Sequence, residues 1–288
     1  MAFEDVMGKL MQWATGTEAL AAVGAALSLR QQGVNPPADV AAALDGVLEA
    51  AGLSELMELP PPQQAVIAGM IGMYLGQVNE LLANPGREPG WTYTDPAVLD
   101  GYGRGSAMLP MAMSHAHPDL ANVTSFLDVG TGVGLLACAA ANVWPEAKVV
   151  GIDPWDVSLQ RARANVAAAG LEGRVDLRQT DLAGLGDSGV YDCVWIPSFF
   201  LTEDVLAAGL KAAHDALQPG GWIVVGTSRP APDPLANAVG NLRWIRGGGT
   251  MLDPKVAVGM LEGVGFADAQ IAPPTAPIPL DLVIGRRP

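Results

Sequence analysis

Three acidic residues of this 288-residue chain stand where short apolar runs give out. They are Asp128 in Phe126-Leu127-Asp128-Val129-Gly130-Thr131-Gly132-Val133-Gly134, Asp153 in Gly151-Ile152-Asp153, and Asp181 in Thr180-Asp181-Leu182. The glycines at 130, 132 and 134 let the backbone turn sharply and approach a ligand closely, with N–H groups at a helix start turned toward it. A dinucleotide fingerprint would place its third glycine six positions into the motif, where this chain has Leu135. The acid at 128 would also repel a pyrophosphate. It suits a ligand with an ammonium group and a cationic centre. Asp153, about twenty residues past the glycines, is spaced to accept hydrogen bonds from ribose hydroxyls. Trp155, after Pro154, is placed to cover an adenine ring, and Asp181 to accept from an adenine amino group. Either Asp153 or Asp181 alone could simply cap the helix that follows. Three carboxylates at three successive strand ends form the more specific pattern.

The elements that must position these residues alternate. Apolar strands read at 125–129, 148–152, 175–179, 191–196 and 222–227, with helix-length segments at 135–143, 156–169, 203–217 and 234–245 between or after them. Such alternation implies parallel strands with helical crossovers, a doubly wound α/β sheet whose ligands bind beyond the carboxyl ends of the strands. A helix over 254–264 and strands near 269–272 and 280–285 close the chain. Before residue 90 the pattern is helical, with helices expected from Thr17 to Gln32, Ala38 to Ala51 and Gln63 to Leu82. The last of these is apolar nearly all round and is expected to be buried in a core or against another subunit. Pro85, Gly86, Pro89 and Gly90 mark a linker, and a further helix is expected from Pro96 to His117. The boundary is placed there, giving a helical region over 1–92 and a ligand-binding domain over 93–288.

With those motifs in place, the sequence resembles the class I S-adenosylmethionine-dependent methyltransferases. The resemblance covers roughly residues 93–288. Besides the three acidic strand ends, it rests on Tyr191-Asp192-Cys193-Val194-Trp195, on Leu217-Gln218-Pro219-Gly220-Gly221-Trp222 and on Gly265-Phe266. It implies a seven-stranded sheet with an antiparallel last strand and S-adenosyl-L-methionine as cofactor, leaving S-adenosyl-L-homocysteine as product. It further implies Asp128, Gly130, Thr131 and Gly132 near the methionine moiety, Asp153 with Pro154 and Trp155 around the ribose and adenine, Asp181 and Leu182 at the adenine, and Pro197-Ser198 bordering the methyl group. Tyr102 and Arg104, in the glycine-rich Gly101-Tyr102-Gly103-Arg104-Gly105, are candidates to cover the sulfonium and face the methionine carboxylate; a hinge would equally explain the glycines. The implied reaction is an in-line methyl transfer to the O or N of a small aromatic or apolar acceptor, driven mainly by proximity. Met108, Met111, Met113, Phe199, Phe200 and Trp244 are candidates for an apolar acceptor pocket or for plain core.

No general base is identifiable. His214 reads as structural, and His115, near a helix end, is a weak candidate that capping explains as well. No metal site is expected. A nucleotide-dependent oxidoreductase and a non-catalytic protein retaining the fold are the competing readings.

Composition narrows the partners. The chain carries 30 acidic and 16 basic residues, a net charge of −14, with no basic cluster beyond Arg286-Arg287. Phosphate-tracking proteins need a basic face, so nucleic acid and anionic membranes are not expected partners. The apolar stretch 65–75 is shorter than the ~20 residues a bilayer span needs. Glu4 and Asp5 stand where a signal peptide would carry positive charge. With Cys138 and Cys193 each inside an apolar run, a disulfide framework is not expected. The chain is expected to act in the cytoplasm on a small molecule, as a homodimer formed through its N-terminal helices.

Overall fold

The computed structural model describes residues 2–274 and 280–288. The chain divides into two compact units: residues 1–85 with 95–105, and residues 86–94 with 106–288. It therefore crosses between them three times.

The first unit is helical. Helix α1 runs unbroken over Phe3–Gln32 and ends at Gly33, whose left-handed backbone (φ 65°) closes it. The expected start at Thr17 is corrected because the Thr15 and Thr17 hydroxyls donate back to the Met11 and Trp13 carbonyls at 3.0 and 2.9 Å, so neither residue acts as a cap. Helix α2 (Ala38–Ala50) and helix α3 (Pro61–Ala83) follow, the latter opened by proline in its first turn. A small core of Val23, Leu27, Leu48, Leu56 and Ile71 joins them. Only one face of α3 is buried, through Ile71, Met73 and neighbours, while Val78 and Leu82 are exposed. Among the described residues α3 is also the one helix long and apolar enough to cross a membrane by length and composition.

Helix α4 (Pro96–Ser106) completes this unit. The single helix expected over 96–117 is instead two, α4 and α5 (Leu109–Ser114). Pro110 is the reason, since inside a continuous helix its ring would displace the preceding turn, whereas at the start of α5 it costs no hydrogen bond. Gly101 permits a close approach, but to α3: a Cβ there would lie 2.5 Å from the Gly69 carbonyl oxygen.

The second unit holds a seven-stranded sheet. Its chain order is β1 (Ser125–Val129), α6 (Leu135–Val143), β2 (Lys148–Ile152), α7 (Asp156–Ala168), β3 (Val175–Arg178), β4 (Tyr191–Pro197), α8 (Glu203–Ala216), β5 (Leu217–Ser228), α9 (Pro234–Arg246), α10 (Pro254–Val264), β6 (Ala267–Ile271) and β7 (Leu280–Arg286). The spatial order is β3-β2-β1-β4-β5-β7-β6, with β7 antiparallel to both neighbours. Alternate side chains of each strand enter two cores, one on each face. Phe126, Cys193 and Trp222 point into one, and Leu127, Val194 and Ile223 into the other. Cys138 and Cys193 are free and buried. Because strand order reverses between β1 and β4, a crevice opens at their carboxyl ends.

Candidate functional site

Gly130 and Gly132 take left-handed backbone (φ 67° and 55°), which turns the chain from β1 toward α6 in five residues. The turn is knitted to the end of β2. The Thr131 N–H donates to the Ile152 carbonyl at 2.9 Å, and the Gly132 N–H to Asp153 Oδ2 at 2.9 Å. Asp153 Oδ1 accepts from the Trp155 N–H at 2.8 Å, so one carboxylate organises both loops. A carboxylate offers about four lone-pair positions, so Asp153 retains capacity for two further donors.

Asp128 lies beneath this turn, wholly buried, with Oδ2 accepting the Thr131 hydroxyl at 2.7 Å. Burial raises its pKa to about 7; the Thr131 hydrogen bond opposes that rise and the nearby Asp153 carboxylate adds to it. Asp153 is also raised, again chiefly by burial, with the Trp155 and Gly132 N–H bonds opposing. Burial thus lets both acids hold their protons above the usual carboxylate range, and a neighbouring cation would favour their charged forms.

Sequence reasoning missed two supports. Gly151 on β2 leaves the room Thr131 needs, since a Cβ there would sit 2.7 Å from Thr131 Oγ1. The Ser198 hydroxyl, buried after β4, donates to the Gly226 carbonyl of β5 at 2.7 Å and pins the turn beyond Pro197. Pro197 itself approaches the glycine loop, its Cγ 3.5 Å from where a Cβ on Gly130 would stand. The signal for Gly151 was present, as a glycine inside a strand marks close approach; nothing local foretold the Ser198 bond.

The remaining candidates separate. Trp155 is half-buried, and its indole Nε1 is buried with no hydrogen-bond partner among the described residues. Pro154 is exposed beside it. Asp181 is exposed, and its Oδ1 accepts the Gly184 N–H at 2.8 Å, closing a turn at the rim. The Leu182 side chain belongs to the sheet core. In the helical unit, the Tyr102 hydroxyl accepts from Gln77 Nε2 at 2.5 Å and Arg104 Nη1 donates to the Ala65 carbonyl at 3.4 Å.

His115 is exposed at the end of α5. His117 caps the turn that follows, its Nδ1 accepting the Asp119 N–H at 3.2 Å. His214 packs against Phe266 at 5.0 Å between ring centroids. Of the methionines proposed for an acceptor pocket, Met113 is completely buried in the core, whereas Met108 and Met111 are exposed. Among the described residues no group of three His, Cys, Asp or Glu side chains could hold a metal ion.

The residues that form this site fall in a stretch that matches known proteins. Residues 126–221 match the family model described as "Methyltransferase domain". A "Ubiquinone biosynthesis O-methyltransferase" of Ruegeria pomeroyi is 33% identical over 126 residues, 41% of this chain and 48% of its own length. A "tRNA1(Val) (adenine(37)-N6)-methyltransferase" of Porphyromonas gingivalis is 39% identical over 56 residues, 19% of this chain and 22% of its own. The chain thus spans less than half the length of these curated relatives. Among solved structures, an O-methyltransferase family protein from Burkholderia thailandensis has a TM-score of 0.71 at 16% identity, covering 100% of this chain and 98% of that one. Human N-acetylserotonin methyltransferase in complex with SAM has a TM-score of 0.67 at 15% identity, covering 100% and 99%. The fold resembles that of these solved methyltransferases, and residues 126–221 match a methyltransferase domain.

Proposed function

We propose that this protein is an S-adenosylmethionine-dependent methyltransferase acting on a small, apolar or aromatic acceptor. The observation that carries the reading is the knot of Asp128, Thr131, Gly132 and Asp153, where a turned glycine loop, two buried acids and a strand end meet at the switch point of the sheet. The buried, unpartnered Trp155 N–H beside it is what a site built for a polar heterocycle would leave unmet.

When bound, S-adenosylmethionine supplies a methyl group already activated on a sulfonium. The protein's own residues bind and orient. Gly130 and Gly132 allow the backbone to come close. Asp153 has lone pairs left for ribose hydroxyls, and Trp155 with Asp181 lies at the adenine end. Asp128 gives up its proton most readily when a cation approaches, so it favours a charged ligand over a neutral one. Pro197 and Ser198 hold the acceptor side of the loop rigid. Aligning an acceptor at about 3–3.5 Å and keeping water out can supply ~7–11 kcal/mol of the barrier, so no protein base is required for an acceptor that is itself nucleophilic. No step is given to His115, Tyr102 or Arg104.

The acidic charge supports a small molecule over nucleic acid as acceptor. The exposed Phe3, Met7, Leu10 and Met11, one apolar stripe of α1, support self-association through the N-terminal helix. Light scattering on the full chain with Leu10→Glu checks that, with a dimer expected for the parent and a monomer for the variant. The activity is tested by incubating the protein with S-adenosylmethionine labelled in its methyl group and a panel of phenols and arylamines. Label in an extractable aromatic product is expected. Cofactor binding without label in any aromatic would contradict the acceptor class.

A further inference from the structure

The segment 86–94, which composition marks as a linker, is bound to the α/β unit by specific ties. Arg87 donates from Nη2 to the Arg246 carbonyl at 2.9 Å and from Nη1 to the Gly90 carbonyl at 2.7 Å and Thr92 Oγ1 at 2.9 Å, while its guanidinium lies 5.1 Å above the Tyr93 ring. The Gly90 N–H reaches the same Arg246 carbonyl at 3.1 Å. Backbone meets backbone here: a Cβ on Gly248 would fall 3.0 Å from Gly90 Cα, and one on Gly249 would collide with the Phe199 carbonyl oxygen. Strap, end of α9 and the turn after β4 are thus locked together without room for side chains.

What the lock presents is aromatic. Trp91 meets Phe200 edge to face at 4.8 Å, and Phe200 meets Trp244 in the same way at 5.6 Å. All three are half-buried, unlike Phe199 behind them, which is buried. Phe200 is three residues beyond Pro197, the residue that abuts the glycine loop.

Resting on the methyltransferase reading, we propose that the 86–94 strap is a wall of the acceptor site and that Trp91, Phe200 and Trp244 select a flat aromatic acceptor. Rings held at steep angles offer both a face and an edge to a planar guest, the two geometries aromatic pairs favour. An aliphatic ring of the same size gains only its area. Arg87 is a positioning residue, holding Trp91 through the strap.

Calorimetry on the full chain tests this with 1-naphthol as probe, saturated decahydro-1-naphthol as control, and S-adenosylhomocysteine titrated separately. Trp91→Ala is expected to weaken 1-naphthol binding about tenfold and leave decahydro-1-naphthol nearly unchanged, since one aromatic contact contributes on that scale. Trp91→Phe should restore most of the loss. Arg87→Met should weaken 1-naphthol by a smaller factor. Unchanged S-adenosylhomocysteine affinity in each variant shows that the domain still folds. Absent 1-naphthol binding by the parent, or equal binding by parent and Trp91→Ala, overturns the strap proposal. Failure of S-adenosylhomocysteine to bind the parent overturns the methyltransferase reading instead.

Discussion

The N-terminal helix α1 and the strand β1 are both rich in apolar residues, yet four of the five β1 residues are buried whereas Phe3, Met7, Leu10, Met11 and Trp13 of α1 are exposed. Apolar content alone therefore does not say where a segment lies. In the α/β unit the inner strands, β1 among them, have a neighbour on both sides and a core on each face, so an apolar run there has one place to go. In the helical unit a stripe is buried only if another element happens to cover it.

The sharpest test of this contrast is electrical. Asp128 is buried with a pKa near 7 against an ordinary value of 3.8, so between about pH 4 and 7 the folded chain binds a proton that the unfolded chain has released. Its contribution to stability is therefore full below pH 4 and is lost as pH rises to about 7. Urea midpoints measured at pH 4.5 and 7.5 should converge in Asp128→Asn relative to the parent. Asp153, shifted in the same direction, remains in both proteins and cancels from the difference. An unchanged spread would place Asp128 in contact with water.

A second test is steric. A Cβ on Gly226 of β5 would collide with the Trp195 ring, within the sheet core. Gly226→Ala should cost about 1–3 kcal/mol in urea denaturation, the usual penalty of overpacking. The smallest effect belongs to α1, where Gly16 has open space around it and an ordinary helical backbone. Gly16→Ala should stabilise by up to ~1 kcal/mol, the difference in helix propensity. If Gly226→Ala were neutral and Gly16→Ala harmful, the assignment of tight and loose regions would be reversed.

The strands β1 and β2 and the helices α6 and α10 were legible to the residue, because β-branched runs and glycine or proline stops are local signals. The acids Asp128 and Asp153 were legible for the same reason, standing at strand ends. The Thr131 hydroxyl on Asp128 was not, since a side-chain pair three residues apart forms only once the glycine turn has set the backbone. The strap was invisible too. Pro85, Gly86, Pro89 and Gly90 signal a break, and the bond that turns the segment into structure joins Arg87 to a carbonyl 159 residues away. Tyr102 is a different case: its glycine neighbours suggested either a ligand or a hinge, and its hydroxyl accepts a hydrogen bond from Gln77 within the helical unit.

Cofactor binding at the Asp153 loop tests the methyltransferase assignment most directly. Titration of the full chain with S-adenosylhomocysteine and, separately, with NAD reads it by calorimetry. One site per chain is expected for S-adenosylhomocysteine, none for NAD, and a loss of about 100-fold on Asp153→Ala, because removing the acid strips the Gly132 and Trp155 N–H groups of their acceptor as well as the ligand of its partner. Binding of NAD in its place, or S-adenosylhomocysteine affinity indifferent to Asp153→Ala, would contradict it.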